Sequence, residues 1–93
     1  MTDTYQIRVV LADDHAVVRA GIRQFLEASG EIEVVDEVGD GDAAISSIEQ
    51  FRPDVAVLDI QMPEKSGIEV TRWVRSEEPS TGVLILTAYD DDP

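Results

Sequence analysis

Val55–Pro63 reads V-A-V-L-D-I-Q-M-P. Four apolar residues run directly into one carboxylate, Asp59, and a turn follows, marked by Met62-Pro63 and closed by Gly67. A short apolar run bounded by breakers predicts a strand buried on both faces of a parallel sheet. Asp59 then emerges at the carboxyl end of that strand. In open α/β sheets ligands bind at that edge, so Asp59 is an ionisable group at the mouth of a crevice.

The flanking chain repeats the pattern. Ile7–Ala12 is β-branched and apolar and predicts a first strand, with Asp13 and Asp14 directly after it. From His15 to Ser29 the period becomes helical. Val18, Ile22, Phe25 and Leu26 share one face, and Arg19, Arg23, Gln24 and Glu27 take the other. Asp14 is placed to cap this helix, Gly21 is expected to allow close approach of a neighbouring backbone, and Ser29-Gly30 ends it. Ile32–Val38 is more polar and partly alternating, which predicts an edge strand. A turn at Gly39–Asp42 with a capping carboxylate leads to a helix with Ala44, Ile45, Ile48 and Phe51 inward, stopped by Pro53. After Asp59, a third helix is expected from about Gly67 to Glu78. Ile68, Val70, Thr71 and Val74 face inward on it, and Trp73 is partly buried. Gly82–Thr87 forms a fourth apolar strand. The order βαβαβαβ puts a helix in every crossover, so the strands run parallel. Asp13, Asp14, Asp59 and Thr87 then meet at one sheet edge.

Composition narrows the partners. Ninety-three residues make one small domain, and 20 Asp and Glu against 7 Lys and Arg give a formal net charge of −13. That surface repels nucleic acid and anionic membranes and favours cations or a basic protein. With no cysteine, disulfides, thiolate metal sites and thiol nucleophiles are excluded. The amino-terminal residues show no signal peptide. No apolar run approaches the roughly 18 residues of a membrane span, and a soluble cytoplasmic domain is expected.

Three converging carboxylates repel one another unless a cation joins them. An oxygen-only set suits a hard divalent ion, Mg2+ first and Mn2+ second. A bound cation would let an anionic phosphoryl group approach Asp59, and carboxylates form covalent aspartyl-phosphates. Thr87 is placed to donate a hydrogen bond to a phosphoryl oxygen.

With these residues in place the chain resembles the receiver domain of bacterial two-component response regulators. The likeness covers nearly every residue. It rests on the acidic pair after the first strand, the D-I-x-M-P-x-x-x-G pattern at Asp59–Gly67, and the L-T-A ending of the fourth strand. The A-D-D-H run at Ala12–His15, with V-V-R-A-G-I after it, resembles the subfamily with a DNA-binding helix-turn-helix output domain. The resemblance implies a flavodoxin-like open parallel sheet, with strand order 2-1-3-4 in this chain. It implies that Asp59 accepts a phosphoryl group from a histidine kinase. It implies Mg2+ (or Mn2+) held by Asp13, Asp14, Asp59 and the backbone carbonyl of Gln61, and Thr87 as the switch hydroxyl. Gln61 and Tyr89 occupy positions that tune acyl-phosphate lifetime in the family. Such a domain signals, and its only chemistry is its own phosphorylation and dephosphorylation.

Against the family pattern, the sequence of 93 residues stops before the fifth strand and last helices, which carry a phosphoryl-pairing lysine. Residues 1–93 are therefore expected to be a single truncated receiver domain that reaches DNA only through segments beyond it. Lys65 follows Asp59 in a loop and does not replace that lysine by motif. An unpaired fourth strand predicts a dimer or larger assembly.

Two other functions compete. A haloacid-dehalogenase-like phosphatase also uses an aspartyl nucleophile after a strand, but needs an acid two positions on, where Gln61 stands. A phosphorylation-independent interaction module would keep the fold without the chemistry. Singly, each motif has an ordinary structural reading. Asp13-Asp14 caps a helix, Asp59 starts a turn, Thr87 suits a strand, and His15 is a surface histidine at a helix start.

Overall fold

A computed structural model describes residues 5–86. Strands and helices alternate: β1 (Ile7–Ala12), α1 (Ala16–Glu27), β2 (Ile32–Val38), α2 (Gly41–Phe51), β3 (Val55–Asp59), α3 (Gly67–Glu77) and β4 (Gly82–Leu86). All pairings are parallel, in the order β2-β1-β3-β4. This is the flavodoxin-like order expected. It reverses direction between β1 and β3, which opens a crevice at their carboxyl ends.

The two central strands are buried on both faces. Val9, Leu11 and Val57 face α1, and pack with Ile22 and Leu26 of that helix. Val10, Ala12, Ala56 and Leu58 face the other way, onto Ala44 and Ile48 of α2 and Val70 and Val74 of α3. Small residues at Ala12, Ala44 and Ala56 let the helices lie close to the sheet. Trp73 is partly buried, as expected.

Helix α1 departs from the expected packing. Ile22 and Leu26 contact the sheet, but Val18 is exposed and Phe25 is 80% exposed. The apolar stripe is wider than the contact, and its outer part has no partner among the described residues. Gly21 meets no neighbouring backbone, since a Cβ there would contact nothing within 4 Å. On α3, Ile68 is exposed and Val70 buried, so the inward face is centred on Gly67, Val70 and Val74.

β2 is an edge strand, with a bulge whose effect is directional. Val9 pairs with Val34 but Val10 pairs with Asp36, so Val35 is the extra residue. A bulge inverts the side-chain alternation beyond it. Val34 faces α1, and three positions later Glu37 faces α1 again, while Asp36 reaches Ser47 of α2 at 2.6 Å.

Candidate functional site

At the end of β1, the Asp13 amide continues the sheet by donating to Val38 O at 3.1 Å. The residue is only 4% exposed. Its Oδ1 accepts from the His15 amide at 2.8 Å, a local turn that fixes the carboxylate. Asp14 is exposed, and the helix cap expected of it falls instead to His15, whose side chain makes no capping hydrogen bond. The tight Asp13–His15 turn starts the helix one residue later than a cap at Asp14 would. His15 is a surface residue, as expected, yet its Nδ1 lies 3.0 Å from Asp14 Oδ1 and 3.7 Å from Asp13 Oδ1.

Asp59 ends β3 and is half-buried. The loop after it doubles back, and the Gly67 amide donates to Ile60 O at 2.8 Å. A Cβ at Gly67 would collide with the Asp59 carbonyl, so only glycine closes this loop. Ser66 then caps α3 in a reciprocal box with Glu69. The loop is also pinned to α2. Gly41 donates to Pro63 O at 3.1 Å, a Cβ there would strike the Lys65 backbone, and Lys65 Nζ meets Asp42 at 2.8 Å. That bond to Asp42 raises the Lys65 pKa. Lys65 is thus engaged on the α2 side of the loop.

Topology brings the two strand ends together. Ligand atoms of Asp13, Asp14, His15 and Asp59 all lie within 4.8 Å of one another. Three of the four donors are carboxylates, and hard oxygen donors fit Mg2+ or Mn2+. Gln61 is the second residue of the adjoining loop and is exposed. Thr87 and Tyr89 lie outside the described residues.

A basic residue approaches the same edge from below. Arg19 Nη1 donates to the Asp13 carbonyl at 2.7 Å and to Val38 O at 3.4 Å, while its Nε donates to Glu37 at 3.1 Å. Arg23 also pairs with Glu37. The Arg23 hydrogen bond, seconded by Arg19, holds the Glu37 carboxyl below its ordinary pKa. Helical periodicity alone puts Arg19 on the outer helix face. Its targets are mainly backbone carbonyls, which leave no mark in a sequence.

The model of the response regulator receiver domain matches residues 9–93. The DNA-binding transcriptional activator DevR/DosR of Mycobacterium tuberculosis is 44% identical over 86 residues, which is 92% of this chain and 40% of that protein. The oxygen regulatory protein NreC of Staphylococcus carnosus is 42% identical, over 92% of this chain and 40% of its own length. The chain therefore spans about two fifths of these relatives. The solved signal receiver domain of NarL from Mycobacterium tuberculosis superposes with a TM-score of 0.89 at 44% identity, covering 94% of this chain and 70% of that one. A fold with the 2-1-3-4 sheet, acids at the ends of β1 and β3, and a family match over nearly its whole length lead to one assignment: the chain belongs to the response regulator receiver domain family, a family of signalling domains rather than metabolic enzymes.

Proposed function

We propose that this chain is a phosphoacceptor whose phosphorylation at Asp59 switches a DNA-binding output domain in the protein that contains it. The observation that supports this most directly is the approach of Asp13, Asp14 and Asp59 at one sheet edge. A carboxylate nucleophile needs access and a neutralised surround, and Asp59 is half-buried and faces two further acids. Asp13, Asp14, Asp59 and the backbone carbonyl of Gln61 would hold Mg2+ or Mn2+. When bound, the cation supplies positive charge that draws phosphoryl oxygens toward the nucleophile.

The residues of the chain supply the rest. An Asp59 carboxylate oxygen attacks phosphorus of a phosphohistidine on a histidine kinase. The new P–O bond forms as the P–N bond breaks, and the departing imidazole nitrogen keeps the electron pair. Asp13 is fixed by its amide, carbonyl and Oδ1 contacts, so this acid enters the reaction without reorganising. Thr87 is the hydroxyl assigned to the phosphoryl group afterwards. A solved relative is the response regulator RcsB in complex with DNA, 30% identical with a TM-score of 0.85. It supports transcription control as the output. Among the described residues no helix is long and apolar enough to cross a membrane.

Incubation with a small acyl phosphate and Mg2+, followed by intact-mass spectrometry, tests the assignment. The expected product is a single hydroxylamine-labile phosphoryl adduct, absent in Asp59→Asn and at least about tenfold slower to form in Asp13→Asn. Equal labelling of Asp59→Asn would exclude Asp59 as the acceptor.

A further inference from the structure

We infer that Arg19 is a positioning residue for the acidic site, clamping the backbone of Asp13 through a fork that Glu37 holds in place. The inference rests on reading Asp13, Asp14 and Asp59 as the cation site. Asp13 is the most enclosed of the three acids, and its carbonyl would otherwise end β1 without the neighbour that Arg19 provides. The guanidinium reaches that carbonyl at 2.7 Å and the Val38 carbonyl at 3.4 Å, so one group ties the carboxyl ends of β1 and β2 together. Its Nε is occupied by Glu37 at 3.1 Å, which sets the plane of the fork. The neighbouring Gly39 leaves space for it, since a Cβ there would come within 3.3 Å of Arg19 Nη1.

The bulge at Val35 gives this arrangement its direction. Had the side chains of these same residues alternated without a break beyond Val34, Glu37 would face α2 and Arg19 would lack the acid that orients it. A lysine does not replace the fork, because an ammonium presents no planar pair of donors and a separate Nε–H. Glu37 offsets the guanidinium charge, so Arg19 acts on the site through geometry rather than by attracting the cation's ligands.

Arg23 supplies the control. It shares Glu37 with Arg19 but, among the described residues, makes no hydrogen bond to the backbone of the site. Both Arg19→Gln and Arg23→Gln should lower the thermal midpoint, since each breaks a link between α1 and β2. Only Arg19→Gln, and Arg19→Lys to a lesser degree, should weaken Mg2+ binding, by about tenfold, the effect typical of groups that support metal ligands. Mg2+ titration of the intact protein, followed by amide shifts in NMR at a temperature where every variant is folded, reads this directly. Arg19→Lys keeps the charge and serves if the glutamine variant does not fold. Mg2+ affinities of both Arg19 variants equal to that of Arg23→Gln would overturn the inference while leaving the site intact. Absence of any Mg2+ response in the unsubstituted protein would overturn the reading of the site and this inference with it.

Discussion

Asp13 shows how a nearly buried acid is kept in one place. Its amide, carbonyl and carboxylate each have a protein partner, drawn from β2, α1 and the turn to His15. Asp59 is constrained from the other side by Gly67, which lets the loop fold back against its carbonyl. The carboxylates at 13, 14 and 59 were legible because acids placed directly after apolar strands leave a pattern. The part played by Arg19 was not, because periodicity assigned it to solvent and a bulge in another strand redirects its partner. That partner carries a pH signature. The folded-state pKa of Glu37 lies below its ordinary value, chiefly through the Arg23 hydrogen bond. A depressed carboxyl contributes stability that is present above its unfolded pKa, about 4.3, and is lost as pH falls through the lower folded value. Glu37→Gln should therefore destabilise the protein at pH 7, and the difference from the parent should shrink below about pH 4. Denaturant melts across pH 3–7 would show this convergence; a pH-independent difference would remove the ion pairs as its cause.

Among the elements, α3 depends most on its first turn. Its amino end adjoins the loop from Asp59, so a defined helix start also defines that loop. Ser66 Oγ accepts from the Glu69 amide at 3.2 Å, and Glu69 Oε1 accepts from the Ser66 amide at 3.0 Å. Ser66→Ala should cost about 1 kcal/mol, read as a lowered denaturation midpoint with unchanged slope. No loss would mean that the turn is held by the Gly67 and Gly41 backbone contacts alone. The strands and their order were legible because doubly buried strands read as unbroken apolar runs, and helices between them force parallel pairing. Helix faces were less legible. Periodicity locates an apolar stripe, but not how much of it the neighbours cover, and so Phe25, Val18 and Ile68 lie exposed where contact was expected. The cap at Asp14 failed for a local reason: the preceding acid turns on the His15 amide, and His15 itself takes the cap position.

Seen whole, the described molecule is asymmetric in its edges. At one end, β2 is polar and bulged, and Glu27 accepts from the Val34 amide at 3.1 Å. At the other end β4 has no outer neighbour among the described residues, and its Leu84 is 52% exposed. Leu84 lies on the α1 face of the sheet, the face on which Val18 and Phe25 of that helix also go uncovered. An apolar edge strand and an uncovered helix stripe on the same sheet face make a surface that gains by pairing. Opposing it is a formal charge of −13, which makes two copies repel. Salt shortens the reach of that repulsion to about 10 Å at 0.1 M and about 3 Å at 1 M, while apolar contact survives it. We therefore predict that the chain of residues 1–93 by itself self-associates, and more strongly as salt rises. Two β4 edges related by a twofold axis would pair antiparallel. Leu84→Asp, which puts a charge on the exposed edge without touching the buried core, should shift the population to monomer at every salt concentration. Light scattering after size exclusion, at low and high salt, measures both effects. A monomer at all salt concentrations would show that the edge does not drive pairing, and weaker association at high salt would point instead to ion pairs between copies.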